Sequence, residues 1–374
     1  MLILRLSAPI CVATPVPKET MSPSLDLGPD TAAGAVLPSA ARRAPRPVAT
    51  LVGTTVALGA LLALLLAIFI LPSLKSGPRD LAVGVVGTPA AVAQLEEALD
   101  ASAPGAYALR GYETAEALSE AVRDRDVVGG FVVEPGAIRS VVATAGSTAI
   151  AQSVTAAAQG IGAAQGVAAT STDVVPLPSR DPSGIGIGGL AFPLVFGGIV
   201  PAVAFRTVFA RSNAWKLAGI GIFSLVGGLI VAAVLQFGFG SIESAFWPVA
   251  GAMTLGIAAM AIPLSALQLA FGGKGFTIGA MSMMFLGNPF AGIATTAAWL
   301  PAGLGTFGQL LPPGATGTLV RSVAYFSGAG GTTAGLTLAA WVVGGLVLHT
   351  VASRRSVSAP VVVAAQAPAA QAVA

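Results

Sequence analysis

Residues 49–71 read ATLVGTTVALGALLALLLAIFIL, an uncharged, leucine-rich run of 23 residues. A helix of about 20 apolar residues crosses the hydrocarbon layer of a bilayer. Ala49–Leu71 therefore predicts a transmembrane helix, and Pro72 predicts its end. The rest of the chain carries the same stamp. Of its 374 residues, 55% are hydrophobic and 9% charged, against about 25% charged in an ordinary soluble domain. Mean hydropathy is +0.84. That is too little charge to cover a soluble globule and too much hydrophobicity for a disordered chain. The composition is that of an integral membrane protein.

Upstream, Val12–Pro47 is rich in Pro, Ala, Ser and Thr without a helical period and reads as a flexible tail. Leu2–Leu6 is short, interrupted by Arg5 and followed by Pro9, which makes a poor signal peptide. Cys11 is the lone cysteine, so an intrachain disulfide and a multi-cysteine metal site are excluded. It follows Ile10 where a lipidation site wants a small residue, and reads as a free thiol in the tail.

Downstream of Pro72 the character changes. Residues 73–183 hold seven Lys/Arg against twelve Asp/Glu. Leu81–Val86 reads as a strand. Pro89–Ala101 reads as a helix with Val92, Leu95, Ala98 and Leu99 on one face. Tyr107–Tyr112 is a second strand. Thr114 caps a helix running to Arg123, with Leu118 and Val122 on one face. Val127–Val133 is a third strand ended by Pro135, and Ile138–Thr144 a fourth. Thr148–Ala168 is a long Ala/Gln/Gly helix and Val174–Leu177 a last strand. This order predicts a small α/β domain with one modest core. Its acidic helix faces (Glu96, Glu97, Glu113, Glu116, Glu120) read as solvated surface.

Five more apolar runs follow: Ile185–Phe205, Leu217–Gln236, Phe246–Ala270, Thr277–Trp299 and Thr332–Val351. The expected architecture is a polytopic α-helical membrane protein with six transmembrane helices and a small α/β extracytoplasmic domain between helices 1 and 2. A cytoplasmic tail occupies 1–48, helix 1 residues 49–72, the α/β domain 73–183, a five-helix domain 184–352, and a cytoplasmic tail 353–374. Lysine and arginine collect in cytoplasmic loops. With the N-terminus inside, inner segments carry Arg42, Arg43 and Arg46, then Arg206, Arg211 and Lys216, then Lys274, then Arg354 and Arg355. The short outer loops carry only Glu243 and Arg321. Both termini are therefore expected in the cytoplasm. The Ala/Gly/Val-rich usage and the loop charges point to a bacterial plasma membrane.

Two places depart from simple helices. Asn288-Pro289 falls inside the fifth run, where a proline removes a backbone hydrogen bond and kinks a helix. Asn288 either bonds the freed carbonyls or lines a path. Residues 300–331, LPAGLGTFGQLLPPGATGTLVRSVAYFSGAGG, are too rich in Gly and Pro to span and too apolar for an ordinary loop. They predict short re-entrant or interfacial helices, anchored by Trp299 and Tyr325. Asp181-Pro182 reads as the N-cap and first residue of the second helix. Gly184–Gly189 (GIGIGG) opens a membrane helix rather than a βαβ helix, so it reads as close packing or a hinge. Gly219/Gly221, Gly227/Gly228 and Gly344/Gly345 read as packing faces.

What is missing narrows the function. No Asp or Glu falls inside any of the six runs, which argues against a proton-coupled carrier and excludes an intramembrane aspartyl protease. Neither HExxH nor GxxxxGK[ST] occurs. His349 is the only histidine, at the inner end of the last helix. No basic cluster points to nucleic acid. No residue set points to a catalytic centre, a metal ion or a cofactor.

One helix, an external α/β domain and five helices with a proline-broken fifth resemble the membrane subunits of ABC-2-type (type V exporter-like) transporters. The likeness is carried by Ala115–Pro135 (AEALSEAVRDRDVVGGFVVEP). Asp181-Pro-Ser-Gly184, Leu286-Gly-Asn-Pro-Phe290, and Leu311-Pro-Pro-Gly314 with Arg321 and Tyr325-Phe326-Ser-Gly328 after it are similar to the phage-infection-protein-like branch. The similarity covers about residues 50–350. It implies an export permease working as a homodimer in the lipid bilayer, driven by a separate cytoplasmic ATPase. Arg206, Arg211 and Lys216 would lie on its first coupling loop and Lys274 on the second. Asn288 and Pro289 would form the helix break or path, and Asp181, Pro182 and Gly184 the start of helix 2. Pro312, Pro313, Gly314 and Arg321 would belong to external re-entrant helices. The chain departs from the pattern in having a Pro-rich tail where the family has an amphipathic connecting helix, and no ATPase is fused to it. Charge-free helices suit an amphipathic or lipid-like substrate. The rival reading is a membrane-anchored envelope or receptor protein whose external α/β domain is the functional part.

Overall fold

The computed structural model describes residues 47–357. Cys11, the N-terminal tail with Arg42, Arg43 and Arg46, and residues 358–374 lie outside the described residues. The chain divides into two units, residues 1–55 and 56–374. The described part of the first is the exposed beginning of helix α1 (Pro47–Leu74).

In the second unit α1 continues apolar and largely exposed to Leu74. A helix apolar on every side is a membrane segment or a core helix, and this one has no core around it. Pro72 lies inside its last turn rather than stopping it. A proline there forfeits one backbone bond, and the Ser76 hydroxyl closes the end by donating to the Pro72 carbonyl at 2.7 Å.

The α/β domain is a five-stranded sheet of β1 (Leu81–Val86), β2 (Tyr107–Gly111), β3 (Gly129–Glu134), β4 (Ala137–Val142) and β5 (Ala168–Asp173), in the order β2-β1-β3-β4-β5. β1 runs parallel to β2 and β3, β3 and β4 form an antiparallel hairpin, and β4 runs parallel to β5. Helices α2 (Pro89–Ser102), α3 (Ala115–Arg123) and α4 (Thr148–Gln165) make the crossovers, each begun by a side-chain cap: Thr88, Thr114 and Ser147. Strand alternation sends Val83, Val85 and Phe131 into one core with α2 and α4, and Val132 and Val141 into another with α3. A side chain at Gly130 would meet the Gly84 carbonyl at 2.5 Å, and both glycines make room for Leu118. The bare sheet at these positions is what lets α3 lie flat on it.

The last strand differs from expectation. Gly166, at φ 68°, ends α4 in the left-handed conformation, and the strand is 168–173 rather than Val174–Leu177. β5 is an exposed edge strand of small and polar residues, so it carries little of the apolar alternation by which strands are read.

Among the described residues, five helices are long and apolar enough to cross a membrane: Pro47–Leu74, Ile185–Val208, Asn213–Phe239, Phe246–Gly287 and Thr332–Arg355. The second comprises a four-residue turn α5 (Ile185–Gly188) and α6 (Ala191–Val208). The third is α7 (Asn213–Ala233), continued by a π-helical turn over Val234–Phe239. The fourth, α8 (Phe246–Ser282), is central: 78% of its apolar window is buried, against at most 39% in the others. It is two helices joined at Gly272, which sits at φ 67° and ψ −155°. A side chain at Gly279 would lie 2.9 Å from Leu264 and 2.8 Å from Leu267. A straight helix would hold residues 264 and 279 about 22 Å apart, so the chain folds back at Gly272.

The run Thr277–Trp299 is therefore not one kinked helix. It is helical to Gly287, ending in a π-helical turn over Met283–Gly287. It then runs irregularly to a short turn at Ala297–Trp299. Residues 300–331 do form short helices, α9 (Leu304–Gln309) and α10 (Pro312–Tyr325). The last helix is α11 (Thr332–Val357).

The glycine pairs divide. Side chains at Gly219, Gly227, Gly228 and Gly345 would press on Phe205, Ile257, Thr254 and Pro263, whereas Gly221 and Gly344 face open space. Gly228 is the tightest of these contacts, with the Ala250 carbonyl 2.6 Å from the added carbon. Gly228→Ala is expected to lower stability by about 1–3 kcal/mol, the cost of overpacking. Gly221→Ala should be neutral or stabilising by up to about 1 kcal/mol. Thermal unfolding of the two variants in detergent checks the contrast; equal midpoints would refute the close approach of α7 to α8.

Candidate functional site

The link from β5 to the membrane helices is built around Asp181, which is 8% exposed. Its two carboxylate oxygens accept the Ile185 and Gly186 amides, each at 2.8 Å. This is capping of a helix start, but not in the expected register. The cap position is Gly184, at φ 66°, and Pro182 lies in the turn before it rather than at the first helical position. The left-handed glycine bends the chain so that Asp181 reaches over it to amides that a helix start leaves orphaned.

Burial opposes ionisation of Asp181, but the neighbouring Ser241 hydroxyl and the Gly186, Ile185 and Gly184 amides prevail and hold its carboxyl below the usual range. Gly186 lies directly against Ser241, and any side chain there would collide with it. The Ser241 carbonyl accepts the Tyr325 hydroxyl at 2.7 Å. Burial and the Asp181 charge push the Tyr325 phenol up, keeping it a donor. Asp181, Gly186, Ser241 and Tyr325 thus join the interdomain link, the start of the second span, the α7–α8 loop and α10. Tyr325 acts as a tie between elements. Trp299 packs against the α2/α4 core of the α/β domain, and its carbonyl accepts the Gly77 amide at 3.1 Å.

Beside this knot lies a cavity of about 610 Å³ between α5–α6 and the far end of α7. Its walls are apolar, with Leu190, Pro193, Val231, Val234 and Phe239 among them, and Arg180 and Asp181 supply charge. The π-helical turn of α7 forms one wall, a distortion frequent at functional sites. Arg180 lies across Gly240, where a side chain would meet it at 2.7 Å. Sequence reasoning found Asp181 and missed Arg180, Ser241 and the π turn. The one local signal was the glycine spacing at Gly238 and Gly240.

The basic residues gather at the opposite end. Arg206 and Arg211 are exposed around the short α6–α7 turn, and the Lys216 amine donates to Asn213 Oδ1 at 3.1 Å. The Asn213 amide donates to Ser353 of α11 at 3.3 Å, which brings Arg354 and Arg355 to the same end. Ile220 of α7 packs on Ala261 and Ile262 of α8 while Gly228 meets Ala250, so the two helices are antiparallel. The Gly272 fold-back with exposed Lys274 is therefore at this end too.

Asn288 and Pro289 do not kink a continuous helix; they follow its end. Asn288 Oδ1 is buried without a partner. Pro312 and Pro313 start α10, where their missing amides cost nothing. Pro313 lies 2.9 Å from the added carbon at Gly287, and Gly314 lies against the Gly308 carbonyl. Arg321 is 6% exposed and donates to the Ile293 carbonyl at 2.6 Å. Burial, and secondarily Arg125, lower its guanidinium to about 10, so it stays cationic at neutral pH. The structure separates these residues into three places: the Asp181 knot, the basic end, and the α10 junction. Among the described residues, no three His, Cys, Asp or Glu side chains gather to hold a metal ion.

The depressed Asp181 pKa has a sign. Its contribution to stability is complete above the unfolded carboxylate value of about 3.9 and is lost as pH falls through the lower folded value. Asp181→Asn replaces one acceptor by a donor and should cost about 1–3 kcal/mol at neutral pH. The gap in unfolding midpoint between wild type and Asp181→Asn should be constant above about pH 4 and narrow as pH falls below it; a gap that does not narrow in acid would refute the carboxylate cap. No family model, curated protein or solved structure matches the chain.

Proposed function

We propose that the chain is the permease subunit of an ABC-2-type exporter that moves an amphipathic or lipid-like substrate outward across a bacterial plasma membrane. In this reading it crosses six times, with the Gly272 fold-back counted as a turn between two crossings. Both termini are cytoplasmic, two copies form the working unit, and a separate ATPase docks on the basic end.

The observation that carries the reading is the 610 Å³ cavity, apolar along its walls and charged at Arg180 and Asp181. An apolar cleft with a few placed polar groups fits a ligand with an apolar body and a polar head. Two further features support it. The exposed cations at 206, 211 and 274 share one end of the bundle, which offers an electrostatic surface to a partner. The Asp181 knot connects the α/β domain to the cavity walls, so a movement at one is felt at the other.

Membrane vesicles energised with ATP and loaded with fluorescent single- and double-chain amphiphiles test this. Val234→Trp should fill the cavity and lower efflux at least about tenfold, equivalent to 1.4 kcal/mol. Arg206→Glu, Arg211→Glu and Lys216→Glu combined should abolish crosslinking to the ATPase and efflux together, with topology unchanged. Full efflux from the correctly oriented triple variant would reject the docking surface. A chain that neither moves any amphiphile nor captures an ATPase would reject the permease and favour a working external domain.

A further inference from the structure

A second cavity, of about 230 Å³, lies where the α/β domain meets α10 and the irregular chain before α9. Its polar lining is Arg125, Ser147, Thr296, Gln309, Thr318 and Arg321, with no carboxylate. The space is large enough for several waters.

The two arginines are unusual. Arg125 follows α3 with a left-handed backbone, φ 62°. Its Nη1 is buried and has no acceptor. Its guanidinium stands 5.2 Å from the centroid of the Phe326 ring. That contact offsets part of the cost of burying a cation, but gives Nη1 no hydrogen bond. Arg321 spends a hydrogen bond on the Ile293 carbonyl. Neither has an ion-pair partner among the described residues. Two like charges facing one cavity repel each other, and the desolvation cost of each is only partly compensated.

Other groups add to the same polarity. Thr296 Oγ1 is buried and unpartnered. The N-terminus of the 18-residue α4 reaches the cavity at Ser147 and Ile150, and helix N-termini favour anions. Guanidinium forks match the geometry of tetrahedral and planar oxyanions.

We infer that this cavity is an oxyanion site that takes a phosphate group, either inorganic phosphate or the phosphate of a lipid headgroup, between Arg125 and Arg321. An occupant neutralises the pair, provides the acceptor that Arg125 Nη1 lacks, and ties α3 and α4 of the α/β domain to α10. The inference is independent of the export reading and of the 610 Å³ cavity.

The test uses the purified full chain in non-ionic detergent. Unfolding midpoints are measured against inorganic phosphate, short-chain phosphatidylglycerol, and sodium chloride at matched ionic strength. A ligand that binds the folded state raises the midpoint saturably. Wild type should respond to one of the two phosphate probes and not to chloride. A response to inorganic phosphate assigns a free anion, and a response confined to phosphatidylglycerol assigns a headgroup. Arg125→Asn leaves the Arg321–Ile293 bond in place and suits a positive φ; it should weaken binding at least about tenfold. Thr296→Val is the milder second variant and should weaken it less. The site is refuted if wild type responds to neither phosphate probe, if chloride acts equally, or if both variants bind as wild type does.

Discussion

Backbone carbonyls that leave a helix among apolar neighbours must find donors, because water is not there to supply them. This constraint governs the stretch from Asn288 to Leu311, where the chain is neither helix nor sheet for most of its length. Side chains from elsewhere supply the missing donors. Arg321 serves Ile293, the Gln309 amide serves Ala291 at 3.1 Å, and the Trp341 indole serves Leu310 at 2.8 Å.

The junction reaches further than its own residues. The chain after α10 places Phe326 in the core under α3, and Tyr325 reaches to Ser241. Ser241 lies against Gly186 and Asp181, so the link from the sheet meets the membrane helices at the same point. A fold that concentrates its polar ties in one knot leaves the neighbouring surfaces apolar. The larger cavity is lined by those surfaces. Its chemistry, an oily wall with Arg180 and Asp181 as its charged groups, follows from where the ties are.

Glycine shapes both halves by absence. In the sheet, Gly84 and Gly130 give Leu118 its seat. In the helices, Gly228 and Gly345 let backbones meet Thr254 and Pro263. Close approach of small residues replaces the hydrophobic drive that lipid cannot provide. Charge is sorted the same way. Arg206, Arg211, Lys216 and Lys274 lie at one end of the bundle, and most acidic residues lie in the α/β domain.

Much of this was legible in the residues because it is local. Apolar length marks a spanning helix. A short apolar run marks β1 and period 3.6 marks α2, while Thr114 caps α3 wherever the helix docks. The break between the runs ending at Ala270 and beginning at Thr277 marks the turn at Gly272. Other features had no local signature. β5 is polar because it is an edge. Asn288-Pro289 marks where the helix fails, but the donors at Arg321 and Gln309 that serve the irregular chain after it come from far along the sequence. Gly219 and Gly221 look alike, and only the position of Phe205 tells them apart. Arg125 and Arg321 lie 196 positions apart in the chain, and nothing near either one shows that they face the same cavity. Periodicity and capping act within a few residues and can be read along the chain. Cavities, shared burial and the pairing of distant polar groups exist only once the chain has closed on itself.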